Sequence, residues 1–243
     1  MNSSFEKIIG SNIFKFVVGP HKKEYHIHGA AISTLSRPLD VLLNGQMREA
    51  EAKCIDWPDV DEKTFMRFAE WAYTKDYITE EPEIALDHSS VQVPASDHEA
   101  ALTDNETPEK PLNTNCATST FTFMPRKNTE NCEDYTGVFL CHAQLYILGD
   151  KYDIPQLRQF TLYRLHATLK EFTLYPSRMS DIEILAKYIF DNTVPEDKIR
   201  EMIILYYACI VEDVSKHDGL KRLIDEIPDF ALGLISIMCE RLE

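Results

Sequence analysis

The strongest constraint on this chain is a break in its hydrophobic periodicity. Patterned sequence runs from Ile13 to Tyr77, disappears between Thr79 and Thr136, and resumes at Val138. Within that interval twelve acids face three bases, a net charge of −9 out of −15 for the whole chain. Five of the twelve prolines also fall there, among many Ser, Thr and Asn. Such a stretch buries too little apolar surface to offset the entropy of ordering it, so a long, protease-sensitive, disordered insert is expected over 79–136. Loop-closure entropy grows slowly with length, and the flanking halves are expected to stay paired across the insert. Its one apolar string, Phe121-Thr122-Phe123-Met124, is the part expected to dock, as an extended strand or short linear motif.

The first half alternates strand and helix signals. Ile13–Val18 is rich in strand formers and ends at Gly19-Pro20, and the alternation Glu24–His28 follows, which predicts a β-hairpin. Ile32, Leu35, Leu39, Leu42 and Leu43 recur at helical spacing, but Pro38 interrupts them. Two short helices, or one entered at Pro38, fit that pattern. Cys54–Trp57 reads as a further strand. Asp59 and Glu62 are spaced as an N-cap and its reciprocal acid, opening a helix that buries Phe65, Phe68, Ala69 and Ala72 and ends near Thr74.

The second half is helical throughout. Phe139, His142, Ala143, Tyr146, Ile147 and Asp150 step along one helix. Pro155 suits the first turn of the next, which continues through Leu157, Phe160 and Leu165. Ile182, Leu185, Ala186, Ile189 and Phe190 form a stripe with Ser180 placed as its cap. Pro195 opens another helix with Ile199, Met202, Ile203, Tyr206 and Ile210 on its buried side, and Phe230, Leu234, Ile237 and Met238 mark a last one.

Charge narrows the partners. At −15 the chain lacks the basic footprint that duplex nucleic acid or an anionic membrane demands, and Pro125-Arg126-Lys127 is too thin to supply it. The longest apolar run, Met202–Val211, is well short of the ~20 residues that span a bilayer. No secretory signal opens the sequence, and the six cysteines include no CxxC pair. Reduced thiols in a cytoplasmic or nuclear, non-secreted protein are the expectation.

Signals for chemistry are weak. His26 and His28 share a strand face, with His21 as a third nitrogen donor for a metal, but solvated or helix-start histidines explain them as well. Cys132, Cys141 and His142 match no zinc spacing, and neither Cys54 nor Cys141 has a recognisable base beside it. The eight glycines form no phosphate-cradling loop, and the acidic interval lacks the Asp spacing of a calcium loop. No catalytic residue, metal ligand or cofactor is therefore expected.

Taken in order, these residues resemble a known family. Val17-Val18-Gly19, Tyr25-His26-Ile27-His28, Leu35-Ser36, Trp57-Pro58-Asp59, Trp71-Ala72-Tyr73-Thr74 and Gly149-Asp150-Lys151-Tyr152 are similar to the motifs of BTB/POZ domains. The nearest flavour is that of fungal BTB proteins. Tyr188–Thr193 and Glu226–Ala231 resemble the helical extension that such proteins often carry.

The resemblance implies an α+β fold: a small β-sheet capped by helical hairpins, followed by a C-terminal all-α extension. On that reading 11–78 and 137–172 are two parts of one BTB/POZ domain, 79–136 is the insert, and 173–243 the extension. Ser11-Asn12 stands where many dimeric members place an aspartate. Met47-Arg48-Glu49 corresponds to the hydrophobic-x-Glu triplet of cullin-binding members, which makes Met47 and Glu49 candidate partner-binding residues. The implied function is a non-enzymatic protein–protein interaction module, a scaffold or self-associating homodimer. The alternative is a substrate adaptor of a cullin-based ubiquitin ligase.

Overall fold

The computed structural model describes residues 4–46, 48–84 and 123–241. Helix α1 (Ser4–Ile9) leads into strand β1 (Ile13–Val18), which turns back as β2 (Lys23–His28). Gly19 takes a left-handed backbone in this turn, with φ of 71°, a conformation that glycine adopts without a Cβ clash. On its other side β1 pairs in parallel with β3 (Cys54–Trp57), giving the strand order β2-β1-β3. A parallel pair needs a long crossover. Three short helices supply it: α2 (Gly29–Ser33), α3 (Arg37–Asn44) and α4 (Arg48–Ala52). Pro38 sits in the first turn of α3, where Leu39 N–H donates to the Ser36 hydroxyl at 3.3 Å. The interruption at Pro38 is therefore a helix start, as its fixed φ favours.

Helix α5 (Glu62–Thr74) closes over the sheet. Its cap is Asp61 rather than Asp59, because Thr64 N–H donates to the Asp61 carboxylate at 3.0 Å. Val60 is buried in the turn between the two aspartates, which delays the helix start. Aromatic rings fill the space beneath. Phe16 meets Trp57 edge-on at 5.3 Å, and Trp57 stacks on Tyr152 at 4.5 Å. Each such pair contributes about 0.5–1.5 kcal/mol beyond the area it buries.

The edges of the expected 79–136 insert are ordered, which corrects its limits. Strand β4 (Glu83–Ile84) pairs with β5 (Glu133–Asp134). Glu133 is buried; it bonds Arg126 and accepts the Thr129 and Glu130 N–H groups at 2.7 and 3.1 Å. Asn128 is buried too, exchanging two hydrogen bonds with the Thr173 backbone. These polar side chains serve as internal partners, so average composition undercounts what the segment can order. Residues 85–122, with Phe121 of the apolar string, lie outside the described residues.

The rest is helical: α6 (Thr136–Lys151), α7 (Pro155–Glu171), a 3-10 turn at Pro176–Arg178, then α8 (Met179–Asn192), α9 (Lys198–Cys209), α10 (Val211–Val214), α11 (Asp218–Glu226) and α12 (Pro228–Glu240). Two helix starts differ from the sequence reading. Helix α8 begins before Ser180, so that residue is no cap. Helix α9 begins after Asp197, whose carboxylate accepts Ile199 N–H at 3.1 Å, rather than at Pro195. On α9, Tyr207 takes the fully buried place and Tyr206 is only half-buried.

Helix α6 is the wall between two cores. Leu145 and Leu148 face the sheet core with Phe16, Trp57 and Phe65. Val138, Phe139, Ala143 and Tyr146 face a second core built with α8, α9, α11 and α12. A helix apolar on opposite sides is a buried helix.

Candidate interaction surfaces

Between β2 and α5 the surface opens into a groove of about 750 Å³. Tyr25 and Ile27 line it from the strand, Met66, Ala69 and Tyr73 from the helix. Met66 and Ile78 are 50% and 73% exposed, unusual for apolar side chains lining one depression. Most of its charges are paired within the rim, and Glu70 instead accepts Ile78 N–H at 3.0 Å. Lys23 reaches Glu62 at 3.3 Å, Lys63 reaches Glu80 at 3.0 Å, and Arg67 also bonds Glu80. Burial pushes the Glu80 carboxyl up, but the Arg67 and Lys63 bonds outweigh it and hold it below the usual carboxylate range. Tyr73 closes one end, its hydroxyl accepting His28 N–H at 2.9 Å and lying 2.8 Å from His28 Nδ1.

A largely buried polar cluster joins the segment that follows α5 to α6 and α7. Arg164 is buried, with its guanidinium 4.5, 4.4 and 4.7 Å from the ring centres of Tyr77, Phe123 and Phe160. It donates to the Tyr77 carbonyl at 2.5 Å and to the Asp76 carboxylate. Tyr77 Oη lies 2.6 Å from His142 Nδ1, and Thr168 Oγ1 lies 3.4 Å from Nε2. Thr168 spends its own proton on the Arg164 carbonyl at 2.8 Å, so Nε2 carries the imidazole proton and Nδ1 accepts from Tyr77.

Burial, helped by the nearby positive charges of Arg164 and Arg67, pushes His142 down to about 3. Burial pushes the Tyr77 hydroxyl up. Both groups are neutral at physiological pH. The cluster ties residues 76, 77 and 123 to α6 and α7, and its imidazole is fully enclosed. Phe123, from the apolar string, thus docks on Arg164, while Met124 beside it is 81% exposed.

The structure scatters the other sequence candidates. His21 lies 3.3 Å from Glu62, His26 is exposed, and His28 is held by Tyr73. Among the described residues no three His, Cys, Asp or Glu side chains converge as metal ligands. Cys54, Cys132, Cys141, Cys209 and Cys239 are free thiols, and burial pushes the Cys141 thiol up, away from the reactive thiolate. Glu49 is half-buried on α4, between α3 and β3. Met47 lies outside the described residues.

The chain matches none of the family models against which it was compared, and no curated protein either. Reasoning from sequence overlooked the groove. One signal was available: Met66 is apolar on the polar side of α5, and Glu70 and Tyr73 follow it on the same line at helical spacing.

Proposed function

We propose that this chain is a protein-interaction module of BTB/POZ type that acts by presenting surfaces to protein partners in the cytoplasm or nucleus. The arrangement that carries the reading is the joining of the two sequence halves in one core. The hairpin, the three-helix crossover, β3 and α5 meet Leu145, Leu148, Ile154 and Leu157 from beyond the insert. That order is the one implied by the resemblance of Tyr25–His28, Trp71–Thr74 and Gly149–Tyr152. Affinity purification of the intact chain followed by mass spectrometry tests it. Reproducible stoichiometric protein partners are expected, or a dimer mass in light scattering at micromolar concentration. A monomer that captures nothing would sink the reading.

A second reading, a cullin adaptor, is favoured by the placement of Glu49 on α4 directly before β3. An apolar knob beside an orienting carboxylate is a common way to fix a docking geometry. The double variant Met47→Ala with Glu49→Ala should then abolish cullin co-purification. Unchanged recovery, or no cullin with the unaltered chain, removes the adaptor reading. Nucleic acid and membranes are poor partners for a chain of net charge −15, and among the described residues no helix is long and apolar enough to cross a bilayer.

A further inference from the structure

Strand β2 is an edge strand, and the hydrogen-bond ladder shows which of its backbone groups remain unused. Lys15 N–H donates to the Lys53 carbonyl at 2.9 Å and Gly19 N–H to the Trp57 carbonyl at 3.1 Å. The odd residues of β1 therefore serve β3, and Phe14, Phe16 and Val18 serve β2. Their partners Ile27, Tyr25 and Lys23 turn their backbone groups inward. Glu24, His26 and His28 turn theirs outward. The Tyr73 bond to His28 N–H agrees with this, since that group points away from β1. Tyr73 thus caps the last outward donor, while among the described residues no group pairs with the N–H or C=O of Glu24 or His26.

This open edge borders the groove whose far wall is α5. An edge beside a helix-walled apolar groove combines what strand addition requires: main-chain hydrogen bonds along the strand and a pocket for alternate side chains. The volume of about 750 Å³ falls within the range of ordinary ligand sites. Lys23, Lys63 and Arg67 balance Glu62, Glu70 and Glu80 around it, so the groove is a neutral patch on a molecule of net charge −15.

We propose that an extended peptide segment docks as a fourth strand on the outer edge of β2, bonding to the backbone of Glu24 and His26. Alternate apolar side chains of the peptide enter the groove against Ile27, Met66 and Ala69. The chain's net charge of −15 favours, by long-range attraction, a segment free of Asp and Glu and with basic flanks. A second copy of this chain is the poorer occupant, because two molecules of net charge −15 repel each other as they approach. The proposal rests on the reading of the chain as an interaction module, and its test fails separately from that reading.

The test is fluorescence anisotropy with the full chain and a library of labelled synthetic peptides of roughly eight residues. In each, Val, Leu or Ile alternates with Ser or Thr between lysine flanks. His26→Pro removes one outward N–H and leaves the β1 ladder intact, since proline is tolerated at a solvent-facing edge. Met66→Glu puts a charge in the groove at a half-exposed site. Members of the library should bind with micromolar Kd, and each variant should weaken them about tenfold or more. N-methylation of the edge-facing peptide amides should abolish binding, and the Glu24 and His26 amides should exchange more slowly with peptide present.

No binding by any member at millimolar peptide, or equal binding by His26→Pro, overturns the proposal. So does a dimer of the unaltered chain that His26→Pro dissociates, which would assign the edge to self-pairing. Protein partners captured equally by the unaltered chain and by His26→Pro, with peptides silent, would remove the groove while sparing the module reading.

Discussion

Arg164 lies face-on to Tyr77, its guanidinium carbon 4.5 Å from the ring centre, while it donates to the carbonyl of that same residue at 2.5 Å. One side chain from α7 thus holds the ring and the backbone of the segment leaving α5. Removing it strands a buried carbonyl and leaves a void among Tyr77, Phe123 and Phe160. Arg164→Ala should lower stability by about 3–5 kcal/mol in urea denaturation. Asp76→Ala, at the half-exposed end of the ion pair, should cost less, about 1–3 kcal/mol, because it leaves the buried guanidinium without its counter-ion but orphans no buried carbonyl. Equal costs for the two would contradict this division.

His142 makes stability depend on pH in a particular direction. Its folded value is pushed down to about 3, below the ordinary 6.5 of an unfolded histidine, so the unfolded chain takes up a proton first as pH falls. The contribution is complete above about pH 6.5 and is lost progressively toward pH 3, at a slope of up to about 1.4 kcal/mol per pH unit. Denaturation midpoints of the unaltered chain and of His142→Asn, compared from pH 7.5 to about 4, should show a shallower fall for the variant. Parallel curves would mean that the imidazole titrates normally.

Asp181 on α8 caps a different helix. Its carboxylate accepts Tyr135 N–H at 2.9 Å at the start of α6, where Tyr135 provides no side-chain cap of its own. Asp181→Ala should destabilise the fold by about 1–3 kcal/mol, because it orphans a buried donor. Asp181→Asn keeps an acceptor and should recover much of the loss. Far-ultraviolet circular dichroism during denaturation reads both, and identical midpoints for Ala and Asn would refute the capping role.

Because α6 faces two cores, the sheet half and the helical tail should unfold together. Leu145→Ala on one side and Ile189→Ala on the other should each lower one shared midpoint, by about 2–5 kcal/mol. Two separable calorimetric transitions, each moved by one variant alone, would show independent units instead.

Much of this architecture was legible in the sequence, and the exceptions have physical causes. The hairpin, the break at Pro38, the third strand and α5 follow from period-2 and period-3.6 patterns that each bury one face. Capping was less legible: Asp59, Asp61 and Ser180 are all chemically competent, burial of Val60 decides for Asp61, α8 starts before Ser180, and α6 takes its cap from Asp181 far along the chain. The double-faced nature of α6 is blurred because a helix apolar on both sides has little amphipathic contrast. Glu133 and Asn128 are counted as solvated polarity in any composition window, yet each is enclosed by partners close in space. The β2 edge is least legible of all, since alternation marks a strand without saying whether it has one neighbour or two.

The shared wall of α6 also bears on synthesis. The three strands are complete once Trp57 has left the ribosome and α5 follows at once, but the last part of their cover waits for Leu145 through Leu157. When α6 then arrives to shield the sheet, its opposite flank of Phe139, Ala143 and Tyr146 stays wet until α8 and α9 emerge. The nascent chain therefore trades one exposed apolar face for another until those later helices pack, the interval in which a holdase chaperone has something to grip.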